Sequence, residues 1–399
     1  MAVPPRRRSH APCSIFCCSA RSPRSPRTTA RRRRKVIDRL IAYLTRHLDP
    51  FLATVVGVLL SLGLVVLFSA SGESFSRIGN QLVNILIAVT VMWIAANVAP
   101  QHLLRFAVPV YVVGLVLLIC VPLFGDEAKG AKRWLDLGVT RIQPSELMKI
   151  GVPLMLAWYF DRYEAILKLK DYVIGSIVLA VPVLLIAMQP DLGTAILVAA
   201  AGFYVLFLAG LSWKVLAALG IAAAGSLPIL WGMMHDYQRQ RVLTLLDPSQ
   251  DPLGRGYHTI QSTIALGSGG VFGKGWLNGT QARLDFLPER TTDFIFAVYS
   301  EEFGLFGNMI LLVLFLLVIG RGLYISANAS MLFSRLLAGA VTLTFFTYAF
   351  VNMGMVAGIL PVVGVPLPLI SYGGTSAVTI LFGIGILMSI HTHKRLVTT

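Results

Sequence analysis

Charged residues are scarce in this chain. Of its 399 residues only 13% are charged, while 56% are hydrophobic, and the mean hydropathy is +0.73. A soluble globular domain usually carries about 25% charged residues. The shortage therefore excludes an ordinary soluble domain and predicts an integral membrane protein.

Cysteine is also rare, and its positions exclude a disulfide framework. Three of the four cysteines, Cys13, Cys17 and Cys18, precede the first apolar segment, and Cys120 lies within an apolar run. The four cysteines form no CxxC pair, and therefore no two pairs at metal-site spacing. Cysteine therefore indicates neither a redox centre nor a metal site.

Most of the basic charge lies at the N-terminus. The net charge is +15, and residues 1–50 alone hold 13 Lys and Arg against two acids. This distribution predicts a basic tail and no nucleic-acid-binding surface. Residues 1–45 are expected to form a disordered, Arg/Ser/Pro-rich cytoplasmic tail, because they cannot bury enough apolar surface. They lack the apolar core of a signal peptide. An over-extended gene start, contact with anionic lipid and a partner motif stay open for them.

Ten apolar windows follow the tail, each near the roughly 17 to 25 residues that a helix needs to cross a bilayer. They predict an all-α membrane protein with about ten transmembrane helices, in a single domain over residues 46–399. The windows are 51–70, 80–98, 104–124, 143–160, 172–188, 193–210, 214–232, 295–320, 333–357 and 373–391.

Lys and Arg in the short connections predict the orientation. With the basic tail in the cytoplasm, one set of connections holds most of these residues, and an even number of spans returns the C-terminus to the same side. The other side receives a polar stretch at 233–296, between the seventh and eighth windows. We expect this stretch to be the large extracytoplasmic loop.

Several charged side chains lie in or beside apolar windows, where they are costly and usually paired or functional. Pro144 suits a first helical turn, which places Glu146 and Lys149 on one face, three residues apart; they form either a structural ion pair or a polar cavity wall. Asp191 either caps the sixth helix or contributes to a site. Arg77 either snorkels to the membrane surface or binds a phosphate.

Two features of the 233–296 stretch resemble known sites but do not complete them. GSGGVFGKG lacks the Gly and the Ser or Thr that GxxxxGK[ST] requires, so its glycines indicate tight turns or close approach to a lipid headgroup. His258 has no second ligand at metal-site spacing, and His391 and His393 lie at the end of the last helix. We predict no nucleotide site and no histidine metal site here.

Asp293 is the strongest candidate for a reactive group. It stands where the polar stretch meets the eighth apolar window, and Phe294, Ile295 and Phe296 follow it. Partial desolvation there would raise the pKa of a carboxylate and make it a stronger base. The alternative is a helix cap for the eighth span. Glu301 and Glu302, two turns further on, are expected to face protein or water.

Several segments in the same order resemble the SEDS family of bacterial cell-wall proteins, which act in shape, elongation, division and sporulation. The resemblance runs from about residue 45 to the C-terminus and leaves residues 1–40 without a family role. It is carried by HDYQRQRV, LLDPSQDPLGRGYHTIQS, GSGGVFGKGWLNGTQ, FLPERTTDFIFAV and GILPVVGVPLPLISYGG.

The resemblance implies a multi-pass protein of the bacterial inner membrane, a peptidoglycan glycosyltransferase that polymerises lipid II at the outer face during cell elongation. It also implies a class B penicillin-binding protein and other elongation-complex proteins as partners. The essential aspartate of the family corresponds to Asp293 in TDF. Arg77, Glu146, Lys149 and Asp191 match further family elements.

These residues suit the implied reaction. A sugar hydroxyl needs a base and a departing pyrophosphate needs positive charge. Asp293 is the predicted base, and Arg77, with Lys149 or Lys274, is predicted to stabilise pyrophosphate. A divalent cation would suit the same step, but the sequence contains no complete ligand set.

Two other functions fit some of the same features. A transporter that flips the lipid-linked precursor would also need about ten spans with charges inside the membrane. A non-enzymatic scaffold of the wall-synthesis complex would need only the spans and the polar stretch. The long polar stretch and the absence of repeat symmetry favour the enzyme.

Overall fold

The computed structural model describes residues 46–128, 131–136, 141–163, 168–233, 239, 243, 247, 255–284, 287 and 289–393. The elements described below all lie in one compact unit, His47–Thr399. The expected tail at 1–45 and parts of the 233–296 stretch lie outside the described residues.

Each of the ten apolar windows corresponds to a helix. In chain order these are α1 (Pro50–Ala70), α2 (Phe75–Asn97), α3 (Pro100–Phe124), α4 (Pro144–Arg162), α5 (Leu169–Met188), α6 (Leu192–Leu208), α7 (Trp213–Met233), α10 (Ile295–Ala327), α11 (Leu332–Val356) and α12 (Gly374–Thr392). Two shorter helices, α8 (Arg255–Ser268) and α9 (Thr280–Arg283), lie within the polar stretch.

The helices begin where the sequence provides caps or proline. Asp49 accepts hydrogen bonds from the backbone nitrogens of Phe51 and Leu52 at 3.0 and 3.2 Å, and Pro50 takes the first helical position of α1. Pro100 and Pro144 begin α3 and α4 in the same way, since proline fixes φ and lacks the N–H that a first turn leaves unpaired. The expected helix start at Pro144 is confirmed.

The apolar character of the helices continues on their outer surfaces. Among the described residues, seven helices are long and apolar enough to cross a membrane, namely α1, α2, α3, α5, α10, α11 and α12. Leu86 and Leu184 are 68% and 63% exposed on α2 and α5, which would be costly in water. The protein is therefore mostly helical, with a surface suited to lipid. Of the other three helices, α6 is shorter, α4 is more charged, and α7 counts as an apolar helix only over Trp213–Ser226.

The expectation of an all-α fold was wrong in one segment. Between α3 and α4 the chain forms a small antiparallel sheet with strand order β1-β2-β3, made of β1 (Asp126–Ala128), β2 (Ala131–Asp136) and β3 (Arg141–Ile142). Runs of two to six residues show no helical period, so local backbone pairing satisfies their N–H and C=O groups instead.

The helices pack around α10 and α11. α11 contacts α10, α6 and α4, while α2 lies along α12 and α3 along α4. α8 packs against α10 and α11. Ser262 of α8 is fully buried and donates to the Val356 carbonyl at 3.1 Å. Part of the stretch that was expected to face water is therefore packed against the bundle.

α10 is interrupted at Gly304, and the glycine loop (residues 269–275) bonds to the backbone on both sides of the interruption. Gly304 has φ 64° and ψ −162°, which interrupts the helical hydrogen bonds. The nitrogens of Lys274 and Gly275 donate to the carbonyls of Glu301 and Glu302, both at 3.0 Å. In return, the nitrogens of Leu305 and Phe306 donate to the carbonyls of Gly270 and Val271, at 2.9 and 3.0 Å. The glycine loop thus supplies the partners that the break removes.

Charged and aromatic groups join both ends of the described chain. Arg321 of α10 bonds Asp49 Oδ2 through Nε and Nη2, at 2.9 and 2.7 Å. Nη2 also lies 3.2 Å from His391 Nε2. The ring of His47 stacks on that of His393, with centroids 4.5 Å apart. Asp49, buried before α1, therefore links the first helix to α10 and to the end of α12.

Gly304→Ala tests the junction between the glycine loop and α10. A Cβ at this position would lie 2.3 Å from the Gly273 nitrogen and 2.8 Å from the Val271 oxygen. The backbone region is essentially restricted to glycine and costs other residues about 1–3 kcal/mol, so we expect a clearly lower unfolding temperature in detergent.

The matched control is Gly57→Ala in α1, where a Cβ would meet nothing within 4 Å. Alanine also favours a helix interior over glycine by about 1 kcal/mol. Equal unfolding temperatures for Gly304→Ala and the unchanged protein would contradict a structural role for the break.

Candidate active site

Asp293, Asp191 and Arg133 line one cavity of about 290 Å³. They come from three distant parts of the sequence: Asp293 lies two residues before α10, Asp191 directly precedes α6, and Arg133 belongs to strand β2. The remaining lining residues are Pro190, Leu192, Gly193, Val362, Val363 and Gly364. Two of the predicted site residues, Asp293 and Asp191, are thus brought together.

The main chain of Asp293 is fixed by a fully buried asparagine. Asn352 of α11 donates through Nδ2 to the Asp293 carbonyl at 2.8 Å and to the Val365 carbonyl at 2.7 Å. Gly364, with φ 74°, passes so close to the carboxylate that an added Cβ would lie 3.4 Å from Asp293 Oδ2. One amide therefore ties the aspartate to the proline-rich segment (residues 358–372), which forms the opposite wall.

The residues just before Asp293 are fixed by the same proline-rich segment. Ser371 donates through Oγ to the Thr292 carbonyl at 2.7 Å, and the nitrogen of Tyr372 donates to the Thr291 carbonyl at 2.9 Å. Phe294, not Asp293, takes the N-cap position of α10, and the side chain of Phe294 makes no capping hydrogen bond. The alternative of Asp293 as a helix cap is therefore wrong.

Asp191 has the structural role that was weighed for it, within the same cavity. Its Oδ1 accepts from the Thr194 nitrogen at 3.3 Å and caps α6. Its Oδ2 accepts from Gln143 Nε2 at 3.1 Å. The cap is confirmed. Both carboxylate oxygens already accept hydrogen bonds from the protein, and a further role of Asp191 in binding substrate stays a prediction.

Arg77 is exposed in the first turns of α2. Gln81, one turn further along, donates through Nε2 to the Ser371 carbonyl at 3.5 Å and accepts from the Gly373 nitrogen at 3.3 Å. Since Ser371 also bonds Thr292, α2 is joined to the chain that leads to Asp293. Arg77 does not line the cavity, and its role in binding phosphate stays a prediction.

Glu146 and Lys149 form the expected ion pair. Lys149 Nζ lies 2.5 Å from Glu146 Oε1, and the side chains are only 4% and 14% exposed, respectively. Thr379 of α12 donates to Glu146 Oε2 at 3.0 Å, and the ammonium lies 5.1 Å from the centre of the Tyr348 ring on α11. The pair joins α4, α11 and α12, so the ion pair is confirmed while a role in binding substrate stays a prediction.

Lys274 lies beside a buried acid. Its Nζ is 2.7 Å from Glu301 Oε1 and 2.9 Å from Thr280 Oγ1. Glu301 is fully buried and also accepts from the Thr280 nitrogen at 2.9 Å. Ser69 donates to Glu302, which is 1% exposed. The expectation that both acids face protein or water is confirmed, since both are buried in protein. The phosphate-binding role of Lys274 stays a prediction.

His258 packs against the residue that follows the candidate base. Its imidazole stacks on Phe294 with centroids 5.7 Å apart and planes 16° from parallel. Burial lowers the pKa of His258, and the charge of Glu289 opposes the shift only in part. Among the described residues no group of three or more His, Cys, Asp or Glu could hold a metal ion.

Two residues of the site were missed by the sequence reasoning. Arg133 lies in a connection between two apolar windows, where an arginine is common and carries no signal of its own. Asn352 is a lone amide within an apolar window, FVNMGMV, and such residues are usually satisfied or functional in a membrane. Its contacts became visible only with the proline-rich segment in place.

The cavity has the parts of an acid-base site with a cation nearby. Asp293 can accept a proton, and its position is set by backbone contacts on both sides. Arg133 contributes the positive charge of the lining. Such a pair suits a reaction in which a hydroxyl loses its proton while negative charge develops elsewhere.

Comparison with known sequences agrees with the resemblance. The family model for the FtsW, RodA and SpoVE cell cycle proteins matches residues 50–396. Peptidoglycan glycosyltransferase MrdB of Escherichia coli (strain K12) is 51% identical over 353 residues, which are 88% of this chain and 95% of MrdB. A probable peptidoglycan glycosyltransferase FtsW of Geobacter sulfurreducens (strain DL-1 / KN400) is 36% identical over 349 residues, 84% of this chain and 92% of that protein.

Solved structures agree in fold. A chain of a peptidoglycan synthase complex, whose study concerns the coordination of polymerization and crosslinking, is 34% identical with a TM-score of 0.76. The match covers 86% of this chain and 97% of that chain. The rod shape determining protein RodA of Thermus thermophilus is 29% identical with a TM-score of 0.66. Here the match covers 86% of this chain and 96% of RodA.

Replacement of Lys149 by Met tests the buried ion pair. The variant leaves the Glu146 carboxylate without its cation, and we expect a loss of stability of about 3–5 kcal/mol. The double variant Glu146→Gln/Lys149→Met removes both charges and should recover most of the loss. Thermal unfolding in detergent measures both, and a double variant as unstable as the single one would contradict charge pairing as the cause.

Proposed function

We propose a function from one premise: the chain belongs to the FtsW, RodA and SpoVE family of cell cycle proteins. It is a peptidoglycan glycosyltransferase, the activity for which its MrdB relative is named. Its 51% identity to MrdB extends over nearly the whole of both chains. We propose lipid II as the substrate and glycan strands, made during cell elongation, as the product.

We further propose that all ten long helices cross the bacterial inner membrane, with both termini in the cytoplasm. The stacked rings of His47 and His393 support this, because they place the two ends of the described chain at the same end of the bundle. The polar stretch at 233–296 then lies outside, as the large extracytoplasmic loop, and residues 1–45 form a cytoplasmic tail. Exposed apolar side chains would hold the polyprenyl tail of lipid II among the membrane lipids.

The observation that supports the proposal best is the position of Asp293 in the cavity. In the proposed reaction, the oxygen of a sugar hydroxyl forms a bond to the anomeric carbon of the donor. The hydroxyl proton passes to the Asp293 carboxylate, and the bond from that carbon to pyrophosphate breaks, with its electrons leaving on the pyrophosphate. A preorganised base and a nearby cation lower the barrier for both changes.

A class B penicillin-binding protein, together with other elongation-complex proteins, is the proposed partner. The peptidoglycan synthase complex that shares this fold couples polymerization to crosslinking, and its matching chain is 34% identical to this one. The same division of labour here would have this chain make the strand and its partner crosslink it.

Asp293→Asn tests the proposed base. The amide keeps the size of the side chain but cannot accept the proton, so we expect polymerisation of lipid II to fall by at least about 100-fold, in line with the usual contribution of a general base. The assay uses the full-length purified protein with its partner and measures glycan strands on a gel.

Asp136→Asn serves as the matched control, because it makes the same exchange at an exposed residue of β2 outside the cavity lining. We expect it to polymerise at a rate close to that of the unchanged protein. Wild-type polymerisation by folded Asp293→Asn would remove Asp293 from the mechanism. Flux of the precursor across vesicles without polymer formation would favour a transporter, and polymer made by the partner alone would favour a scaffold.

A further inference from the structure

The proposed reaction needs a cation where pyrophosphate leaves, and two of the three candidates from sequence are already paired inside the protein. Lys149 lies against Glu146 and Lys274 against Glu301, at 2.5 and 2.7 Å. Arg77 is exposed on α2 and is absent from the cavity lining. None of the three brings an unbalanced positive charge to the cavity that holds Asp293.

Arg133 does lie in that cavity, and its side chain is held in one orientation. Its Nη2 donates to the Pro190 carbonyl at 2.6 Å, in the turn that leads into α6. Its Nε is buried and makes no hydrogen bond to any described residue. One edge of the guanidinium is therefore anchored to the protein, while a buried donor on the same group has no partner.

A buried N–H without a partner is uncommon in a folded protein and calls for an explanation, such as a catalytic role or an ion that binds beside it. The guanidinium has five donors in a fixed plane, and its geometry matches two oxygens of a phosphate. The first residues of α6, Leu192 and Gly193, also line the cavity. The positive end of a helix dipole there would favour the same anion.

We propose that Arg133 binds the pyrophosphate of the lipid-linked sugar donor and stabilises it as it leaves. The inference rests on the proposed glycosyltransferase function and identifies the residue that contacts the leaving group. As the bond between the anomeric carbon and the pyrophosphate oxygen breaks, the electron pair passes to that oxygen. The guanidinium then faces a fuller negative charge than it met in the ground state, which is the condition for catalysis.

Polymerisation kinetics of Arg133→Gln and Arg133→Lys provide the first test. We expect Arg133→Gln to lower kcat/KM for lipid II by about 100-fold or more, as loss of one preorganised donor does elsewhere. Arg133→Lys keeps the charge but loses the planar fork, so it should recover only part of the activity. Arg105→Gln is the matched control: it makes the same exchange at an exposed residue at the other end of α3, and should stay within about two-fold of wild type by the usual behaviour of surface sites.

A binding measurement distinguishes a role of Arg133 in binding pyrophosphate from a purely structural role at the Pro190 turn. Long-chain polyprenyl pyrophosphate and polyprenyl monophosphate are each titrated as inhibitors, and thermal unfolding is measured for every variant. We expect Arg133→Gln to weaken binding of the pyrophosphate by about ten-fold or more, which is the effect of one lost charged contact. Binding of the monophosphate should weaken less. Equal weakening of both, together with a lower unfolding temperature, would mean that Arg133 only holds the Pro190 turn and would overturn the proposal.

The two proposals fail in different ways. If Asp293→Asn polymerises like wild type, the proposed active site is wrong, whatever Arg133 does. If Asp293→Asn is inactive while Arg133→Gln polymerises and binds pyrophosphate like wild type, only the role of Arg133 is wrong. We expect Asp293→Asn to keep binding polyprenyl pyrophosphate, and Asp293→Asn/Arg133→Gln to lose that binding.

Discussion

The structure depends on satisfying backbone groups where α10 is broken. In a membrane, a helix that loses its internal hydrogen bonds must find partners in the protein, because lipid offers none. Gly304 breaks α10, and the glycine loop supplies both donors and acceptors for the residues on either side. Those contacts hold the first turns of α10, which begins two residues after Asp293, against a loop about thirty residues earlier in the sequence. A segment that resembles a phosphate loop by composition thus stabilises the interrupted helix through backbone hydrogen bonds.

Buried charged side chains, like the backbone groups of α10, find partners within the protein. Where the structure describes them, two acids within the helices show this: Glu146 has Lys149 and Thr379, and Glu301 has Lys274 and Thr280. Pairing lowers the free-energy cost of burying a charge, but the partner also neutralises that charge. Such cations are therefore poorly suited to bind an anionic substrate. The cavity beside Asp293 differs because its arginine is anchored through an uncharged carbonyl and keeps its charge.

Sequence periodicity and punctuation predicted much of this fold. The apolar windows located all ten long helices, and Pro144 and Asp191 marked where α4 and α6 begin, because local chemistry decides a helix start. The break in α10 and the packed helix α8 were not predicted, since each depends on partners distant in the chain. The β-sheet was missed because its strands of two to six residues are too short to show a clear period. Asp293 and Asp191 could be singled out by their place at membrane edges. Arg133 and Asn352 could not, because their importance comes from the proline-rich segment and the turn at Pro190.

The contact between His47 and His393 has a consequence for how the chain can be cut and rejoined. The rings stack at 4.5 Å, and Asp49 and His391 both reach Arg321, so the beginning and the end of the bundle are neighbours. A short linker between them would close the polypeptide into a circle without moving a helix, and new ends could then be opened in an exposed connection. The order in which the helices are synthesised is therefore separable from the arrangement in which they pack.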